Sequence, residues 1–244
     1  MGLIINNLVG GYQNVPVIKG INLEIQSGEA VGLIGLNGAG KSTTIKHILG
    51  LLRPISGEIT LNGQTLAQNP TEFKQQIAVI PETPVLYPEL TLLEHLELTI
   101  LAYGLDKEKV WPRALELLEI FRLDNKLDWL PIHFSKGMKQ KVMIVNAFLT
   151  DADLMIIDEP FTGLDPLAVA NLIDLINDAK KAGKMILLTT HVLETARRAI
   201  ERYVVLNNGV IMLDGSLESI KDHYEIKDDN FGELYQKLSV EQVK

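Results

Sequence analysis

Two stretches of this sequence place reactive residue types at spacings suited to holding and cleaving a polyphosphate. The first is Gly35-Leu36-Asn37-Gly38-Ala39-Gly40-Lys41-Ser42, which fits G-x-x-x-x-G-K-[ST]. Its glycines allow the backbone to fold into a ring of amide donors with little side chain in the way. Lys41 is then placed to neutralise β- and γ-phosphates, and the Ser42 hydroxyl to ligate Mg²⁺. Leu36, Asn37, Ala39 and Thr43 complete the expected nucleotide contacts. The second stretch is Leu154-Met155-Ile156-Ile157-Asp158-Glu159. Four apolar residues ending in carboxylates describe a buried strand that delivers Asp158 at its C-terminal edge, where it would hold Mg²⁺ through water. Glu159, expected on the other side of the pleat, is placed to act as general base on an attacking water. A structural glycine turn and a solvated acidic turn would be the ordinary explanations of each stretch alone. Together, in strand–loop–helix context, they indicate a nucleotide site.

The elements that must position these residues are readable from the apolar pattern. Leu3 to Ile25 carries short apolar runs broken by Gly10-Gly11, Pro16 and Gly20, which predicts antiparallel strands. Ala30 to Ile34 has the compact apolar character of a buried parallel strand. Helical spacing follows from Ser42 to Leu52, and two further strands are predicted at Gly57 to Leu61 and Ile77 to Ile80. Between Thr91 and Leu149 long leucine-rich stretches at three- and four-residue spacing predict a helical insertion. Short strands at Leu154 to Ile157, Met185 to Thr190 and Tyr203 to Leu206 then resume an α/β alternation. The expected division is a core of 1–83 and 151–214, a helical subdomain at 84–150 and a short tail at 215–244, in which the Lys227-Asp228-Asp229 stretch is least legible.

Composition narrows the class. The 244 residues suffice for one full core, and 46% hydrophobic with 22% charged residues excludes a disordered chain. No apolar run approaches the roughly 18 residues needed to cross a bilayer, and the opening MGLIINNLVGGYQ does not read as a secretory signal. The chain has no cysteine, so disulfides and thiolate metal sites are out. A formal charge of −8 disfavours a nucleic-acid partner. Asn125-Lys126-Leu127-Asp128 spells the guanine-reading N-K-x-D of GTPases. It precedes Asp158 and closes a leucine-rich helix predicted from Ala114 to Leu123, so GTP specificity is not expected.

The order of these motifs resembles the nucleotide-binding domain of ATP-binding-cassette (ABC) proteins over nearly the whole chain. The fold so implied is α/β: a P-loop NTPase core of mixed, mainly parallel sheet with an N-terminal antiparallel β subdomain and an inserted helical subdomain. The resemblance implies that Tyr12 stacks on adenine with Val17 nearby. It identifies Phe134-Ser135-Lys136-Gly137-Met138 with the family's signature loop, usually L-S-G-G-Q. Ser135 and Gly137 would meet the γ-phosphate of ATP held by another copy, hence a head-to-tail homodimer or a pair with a similar ATPase. Lys136 and Met138 depart from the pattern. Glu82 stands where the family has a metal-contacting glutamine; it can still ligate a hard cation but cannot donate. Gly163-Leu164-Asp165 resembles the loop at the dimer seam, and His191 the switch histidine that contacts the γ-phosphate.

The implied function is ATP hydrolysis with Mg²⁺ that powers a transporter with separately encoded integral membrane subunits, at the inner face of the cell membrane. The wording around Lys136 and Pro81-Glu82 resembles bacterial exporters, the Ecs type among them. Soluble relatives acting in translation or DNA repair, and an ATP-binding switch that hydrolyses little, are the alternatives. Lys41→Ala is expected to abolish Mg-nucleotide uptake by correctly folded protein in calorimetry; unchanged uptake would overturn the nucleotide reading.

Overall fold

The computed structural model describes residues 1–227 and 231–242. Of the acidic stretch noted above, Asp228 and Asp229 therefore lie outside the described residues.

The chain opens with β1 (Gly2–Tyr12) and β2 (Val15–Gln26), followed by β3 (Ala30–Ile34) and α1 (Lys41–Ile48). Next come β4 (Ser56–Leu61), β5 (Gln64–Thr65), α2 (Pro70–Gln75) and β6 (Ile77–Ile80). The helical insertion contains α3 (Leu92–Ala102), α4 (Lys107–Ile120) and α5 (Lys136–Leu149). The chain returns through β7 (Leu154–Asp158), α6 (Pro166–Lys181), β8 (Met185–Thr189) and the single turn α7 (Leu193–Ala196). It finishes with the hairpin β9 (Arg202–Asn207) and β10 (Val210–Gly215), then α8 (Leu217–His223) and α9 (Phe231–Gln242).

Two sheets result. An antiparallel sheet has the order β2-β1-β4-β5, and a six-stranded sheet the order β10-β9-β3-β8-β7-β6. Within the second, β3 is parallel to β8 and β9, and β7 to β6 and β8, while β10 alone is antiparallel. This is the mixed, mainly parallel α/β fold with an antiparallel β layer and inserted helices. The apolar runs of its strands follow from burial on both faces. Val31 and Leu33 of β3, Leu154 and Ile156 of β7 and Val204 and Leu206 of β9 face a core shared with the antiparallel sheet. Their alternating neighbours Ile34, Met155, Ile157, Tyr203 and Val205 face a second core under the helices. Arg202 joins the layers, its guanidinium bonded to Asp214 on β10 at 2.6 and 2.7 Å, to Glu29 at 2.8 Å and to the Glu24 carbonyl on β2 at 2.9 Å.

Caps account for the helix starts. Thr91 and Glu94 form a reciprocal capping box on α3, Asp106 caps α4, Ser135 caps α5 and Asp165 caps α6. Several boundaries differ from expectation. α1 ends at Ile48, because Gly50 at φ 69° turns the chain before Leu52. α4 starts at Lys107 instead of Ala114, since the Asp106 cap initiates it and Pro112 is accommodated inside. Asn125 and Lys126 sit in a separate 3₁₀ turn, Asp124–Lys126, beyond that helix. Past Gly215 the chain packs inward: Leu217, Ile220, Leu234 and Leu238 are buried in the core beneath the helices.

Phe121, at the C-terminal end of α4, is 1% exposed in that same core. Phe121→Ala is expected to cost about 3–5 kcal/mol in equilibrium urea denaturation, with far-UV dichroism of the unperturbed fold retained.

Candidate active site

The glycine-rich loop leaves β3 in a conformation that its glycines make accessible. At Gly35 a Cβ would fall 2.2 Å from the Leu206 carbonyl oxygen, so the loop closes against β9 only without a side chain. Gly40 has φ 114° immediately before α1, in the left-handed half of backbone space. The ammonium of Lys41 folds back along the loop, donating to the Gly35 carbonyl at 2.7 Å and to Leu36 at 3.2 Å. Lys41 is only 9% exposed. Burial lowers its pKa below the ordinary lysine value, and the nearby carboxylates of Glu159, Asp158 and Glu82 oppose that shift.

Asp158 ends β7, and its Oδ1 accepts a hydrogen bond from the Thr189 hydroxyl on β8. Glu159 does not continue the pleat to the opposite side, as its position one residue on would suggest. It adopts φ 46°, and its amide donates to the Thr189 carbonyl at 3.1 Å. The left-handed turn brings its carboxylate into the same cleft as Asp158. A non-glycine residue held there stores roughly 1–3 kcal/mol of backbone strain. The Glu159 side chain is 13% exposed, with Oε1 3.2 Å from His191 Nε2. Its Oε2 accepts from the His191 amide at 3.1 Å. Burial pushes its pKa above the usual carboxylate value, although His191 and Lys41 pull it back.

Asn37, Lys41, Ser42, Glu82, Asp158, Glu159, Thr162 and His191 thus line one cleft of about 230 Å³. All lie at or beyond the C-terminal ends of β3, β6, β7 or β8. An adjoining cleft of about 400 Å³ is lined by Tyr12, Val17, Leu36, Gly38, Gly40 and Thr43, with Asn37, Lys41 and Ser42 shared. Ala39 is buried and lines neither. Tyr12 is 45% exposed, and its hydroxyl accepts from Lys46 of α1 at 3.0 Å, which holds its pKa below the ordinary value. A larger, mainly apolar cavity of about 580 Å³ lies between the end of α1, β4 and α2. Its lining includes Arg53, Glu58 and Lys74 but neither the phosphate loop nor the carboxylates at the end of β7, so the chemistry belongs to the smaller spaces.

The loop carrying Glu82 is held from the helical subdomain. Gln140 of α5 donates to the Pro81 carbonyl at 3.3 Å, and the Tyr87 amide donates to His95 Nε2 at 2.9 Å. At the start of α5, Ser135 Oγ accepts from the Met138 amide at 3.2 Å, which leaves the hydroxyl hydrogen to donate elsewhere. Gly137 packs against the 163–165 loop, where a Cβ would meet the Gly163 carbonyl oxygen at 2.5 Å. Lys141 of α5 bonds Asp165 at 2.6 Å. Lys136 is exposed. Ser135 and Gly137 line neither cleft.

These groups fit a Mg-nucleotide. A Cβ at Gly38 would meet nothing within 4 Å, so the loop's outer side is open to a ligand. The Ser42 hydroxyl and the Glu82 and Asp158 carboxylates are hard oxygen donors. Among the described residues no group of three His, Cys, Asp or Glu converges as a metal site. Sequence reasoning did not single out Lys46, Thr162 or Thr189. Thr189 was visible beside His191, but nothing local shows that its hydroxyl reaches Asp158.

The sequence profile of the family described as ABC transporter matches residues 18–162. The ABC-type transporter ATP-binding protein EcsA of Bacillus subtilis (strain 168) is 51% identical over 239 residues, 98% of this chain and 97% of the relative. A solved ATP binding subunit of an ABC transporter superimposes with TM-score 0.92 at 49% identity, covering 98% of this chain and 100% of that one. A solved dimeric ATP-binding cassette in a post-hydrolysis state, bound to ADP and Pi, has TM-score 0.78 at 27% identity, covering 88% and 98%.

A carboxyl whose folded pKa lies above its unfolded value adds stability below the unfolded value and loses it as pH rises through the folded one. Glu159→Gln should therefore raise the Tm at pH 8, and the gain should shrink as the pH falls towards the ordinary carboxylate range. Scanning calorimetry at several pH values checks both the sign and the trend.

Proposed function

The chain belongs to the ABC transporter family, and from that premise we propose that it hydrolyses ATP to drive a transporter whose membrane-spanning subunits are separate polypeptides. The observation that carries this reading is the convergence of Lys41, Ser42, Asp158, Glu159 and His191 on one cleft at the C-terminal edge of the parallel sheet. The relatives support the reaction: EcsA is an ATP-binding protein of an ABC-type transporter, and the post-hydrolysis cassette holds ADP and Pi, the products of ATP cleavage.

In this reading the Tyr12 ring stacks on adenine beside Val17. Gly35 to Thr43 supplies amides to the phosphates, and Lys41 exchanges its loop carbonyls for phosphate oxygens. Ser42, Glu82 and Asp158 would hold Mg²⁺, which when bound neutralises β- and γ-phosphate charge. Glu159 takes the proton from the water that attacks the γ-phosphorus; its raised pKa makes it the stronger base. The bond from the γ-phosphorus to the bridging oxygen breaks, and ADP leaves with the electron pair. His191 holds the Glu159 carboxylate and faces the γ-phosphate.

Ser135 and Gly137 belong, on this proposal, to the site of a second copy in a head-to-tail dimer. Their position outside both clefts of their own chain supports that arrangement, as does the dimeric state of the solved relative. Among the described residues no helix is long and apolar enough to cross a membrane. The working location is thus the inner face of the cell membrane, held by partner subunits that contact the groove near Glu82. The similarity to EcsA favours a bacterial exporter of that type.

Glu159→Gln is expected to lower kcat for phosphate release about a hundredfold or more while ATP binding is retained. The same variant should accumulate as an ATP-bound dimer on size-exclusion chromatography. Wild-type turnover in Glu159→Gln would remove Glu159 from its assigned role. Copurification of the tagged chain with a polytopic membrane protein checks the transport reading against soluble roles.

A further inference from the structure

The C-terminal helix reaches back to the candidate active site. Leu234 and Leu238 of α9 are fully buried in the core beneath the helices, which fixes the helix in place. Tyr235, beside Leu234, lies against His191 with ring centroids 5.6 Å apart and planes inclined at 57°. Its hydroxyl donates to the Thr190 carbonyl at 3.3 Å. Burial and the neighbouring Glu159 carboxylate push that hydroxyl well above the ordinary tyrosine range, so it remains a donor at neutral pH. The His191 side chain is 43% exposed, and the α7 turn that follows has no side-chain cap at Val192. The ring also meets Glu159, with Nε2 3.2 Å from Oε1.

We propose that Tyr235 is a positioning residue for hydrolysis. Its ring holds His191 in the rotamer that meets Glu159. This rests on the ATPase reading above and deepens it: the tail beyond the sheet becomes part of the hydrolytic apparatus. Docking of α9 then sets the rate of cleavage and leaves nucleotide binding alone, because Tyr235 lines neither cleft. An aromatic contact of this geometry biases a rotamer equilibrium by roughly two- to tenfold, which sets the size of the expected effect.

The test uses the full chain with Tyr235→Leu, which keeps apolar bulk, and Tyr235→Phe, which keeps the ring. Steady-state phosphate release gives kcat and KM. Ring resonances of isotopically labelled histidine, assigned with a His191→Ala sample, report the His191 environment without nucleotide. Tyr235→Leu should lower kcat about three- to tenfold with KM within about twofold, and should shift the His191 ring signals as the ring current is lost. Tyr235→Phe should keep those signals near their wild-type positions and return kcat to within about twofold of wild type. Wild-type kcat in Tyr235→Leu, unmoved His191 signals, or a loss that Tyr235→Phe does not rescue would each overturn the proposal. A wild-type chain that fails to hydrolyse ATP would instead overturn the ATPase reading, while the ring signals still report on the Tyr235 contact.

Discussion

Taking the Lys41 ammonium out of water sets the terms for the structure around it. A buried charge without partners costs several kcal/mol, so the fold must surround it with acceptors and opposite charge. Two loop carbonyls accept its protons at 2.7 and 3.2 Å, and three carboxylates, Glu159, Asp158 and Glu82, offset its desolvation. Those carboxylates arrive from β6 and β7, neither of them adjacent to β3; β8 lies between β3 and β7. The order of the parallel sheet therefore brings the carboxylates that oppose the desolvation of Lys41 to its side.

The carboxylates are held in turn. Thr189, on the intervening strand, binds Asp158 through its hydroxyl and the Glu159 amide through its carbonyl. Glu159 keeps a left-handed backbone that a free chain would leave, and its neighbours His191 and Thr189 over-determine it. This is a balance of burial against charge: desolvation raises the Glu159 pKa, while His191 and Lys41 restrain it. A carboxylate in such a setting is more basic than an exposed one and still able to ionise.

Helix α5 connects this centre to the rest of the molecule. Gln140 reaches the carbonyl of Pro81, next to Glu82, and Lys141 reaches Asp165, which caps α6. The half-exposed Lys141–Asp165 pair adds little stability. Its consequence is geometric, because a shift of α5 displaces both the loop after β6 and the loop before α6. With α9 against His191, two segments distant in sequence from the phosphate loop bear on the residues that line its cleft.

The phosphate loop, the carboxylate pair at the end of β7 and the strands β3 and β6 were legible residue by residue. Each depends on interactions within a few positions: glycine backbone freedom, apolar runs and helix caps. β5 and α2 are too short to impose a period, and α4 begins at Lys107, ahead of the leucine-rich run, because the Asp106 cap initiates it. The β9–β10 turn is spelled by Asn208-Gly209, both at positive φ, and Val210 to Leu213 is an apolar run, yet no strand was predicted there; none of the β10 residues is fully buried. By itself, then, the sequence determined the local elements, their order and the family to which they belong. Tertiary structure alone decided that Glu159 turns into the cleft of Asp158, that Lys46 restrains Tyr12, that Tyr235 meets His191 and that Ser135 and Gly137 line neither cleft. The physical reason is range. Backbone preference and periodicity act between near neighbours, whereas these juxtapositions depend on strand order and layer packing, which bring together residues as distant in sequence as Lys41 and Glu159 through cores that no local pattern specifies.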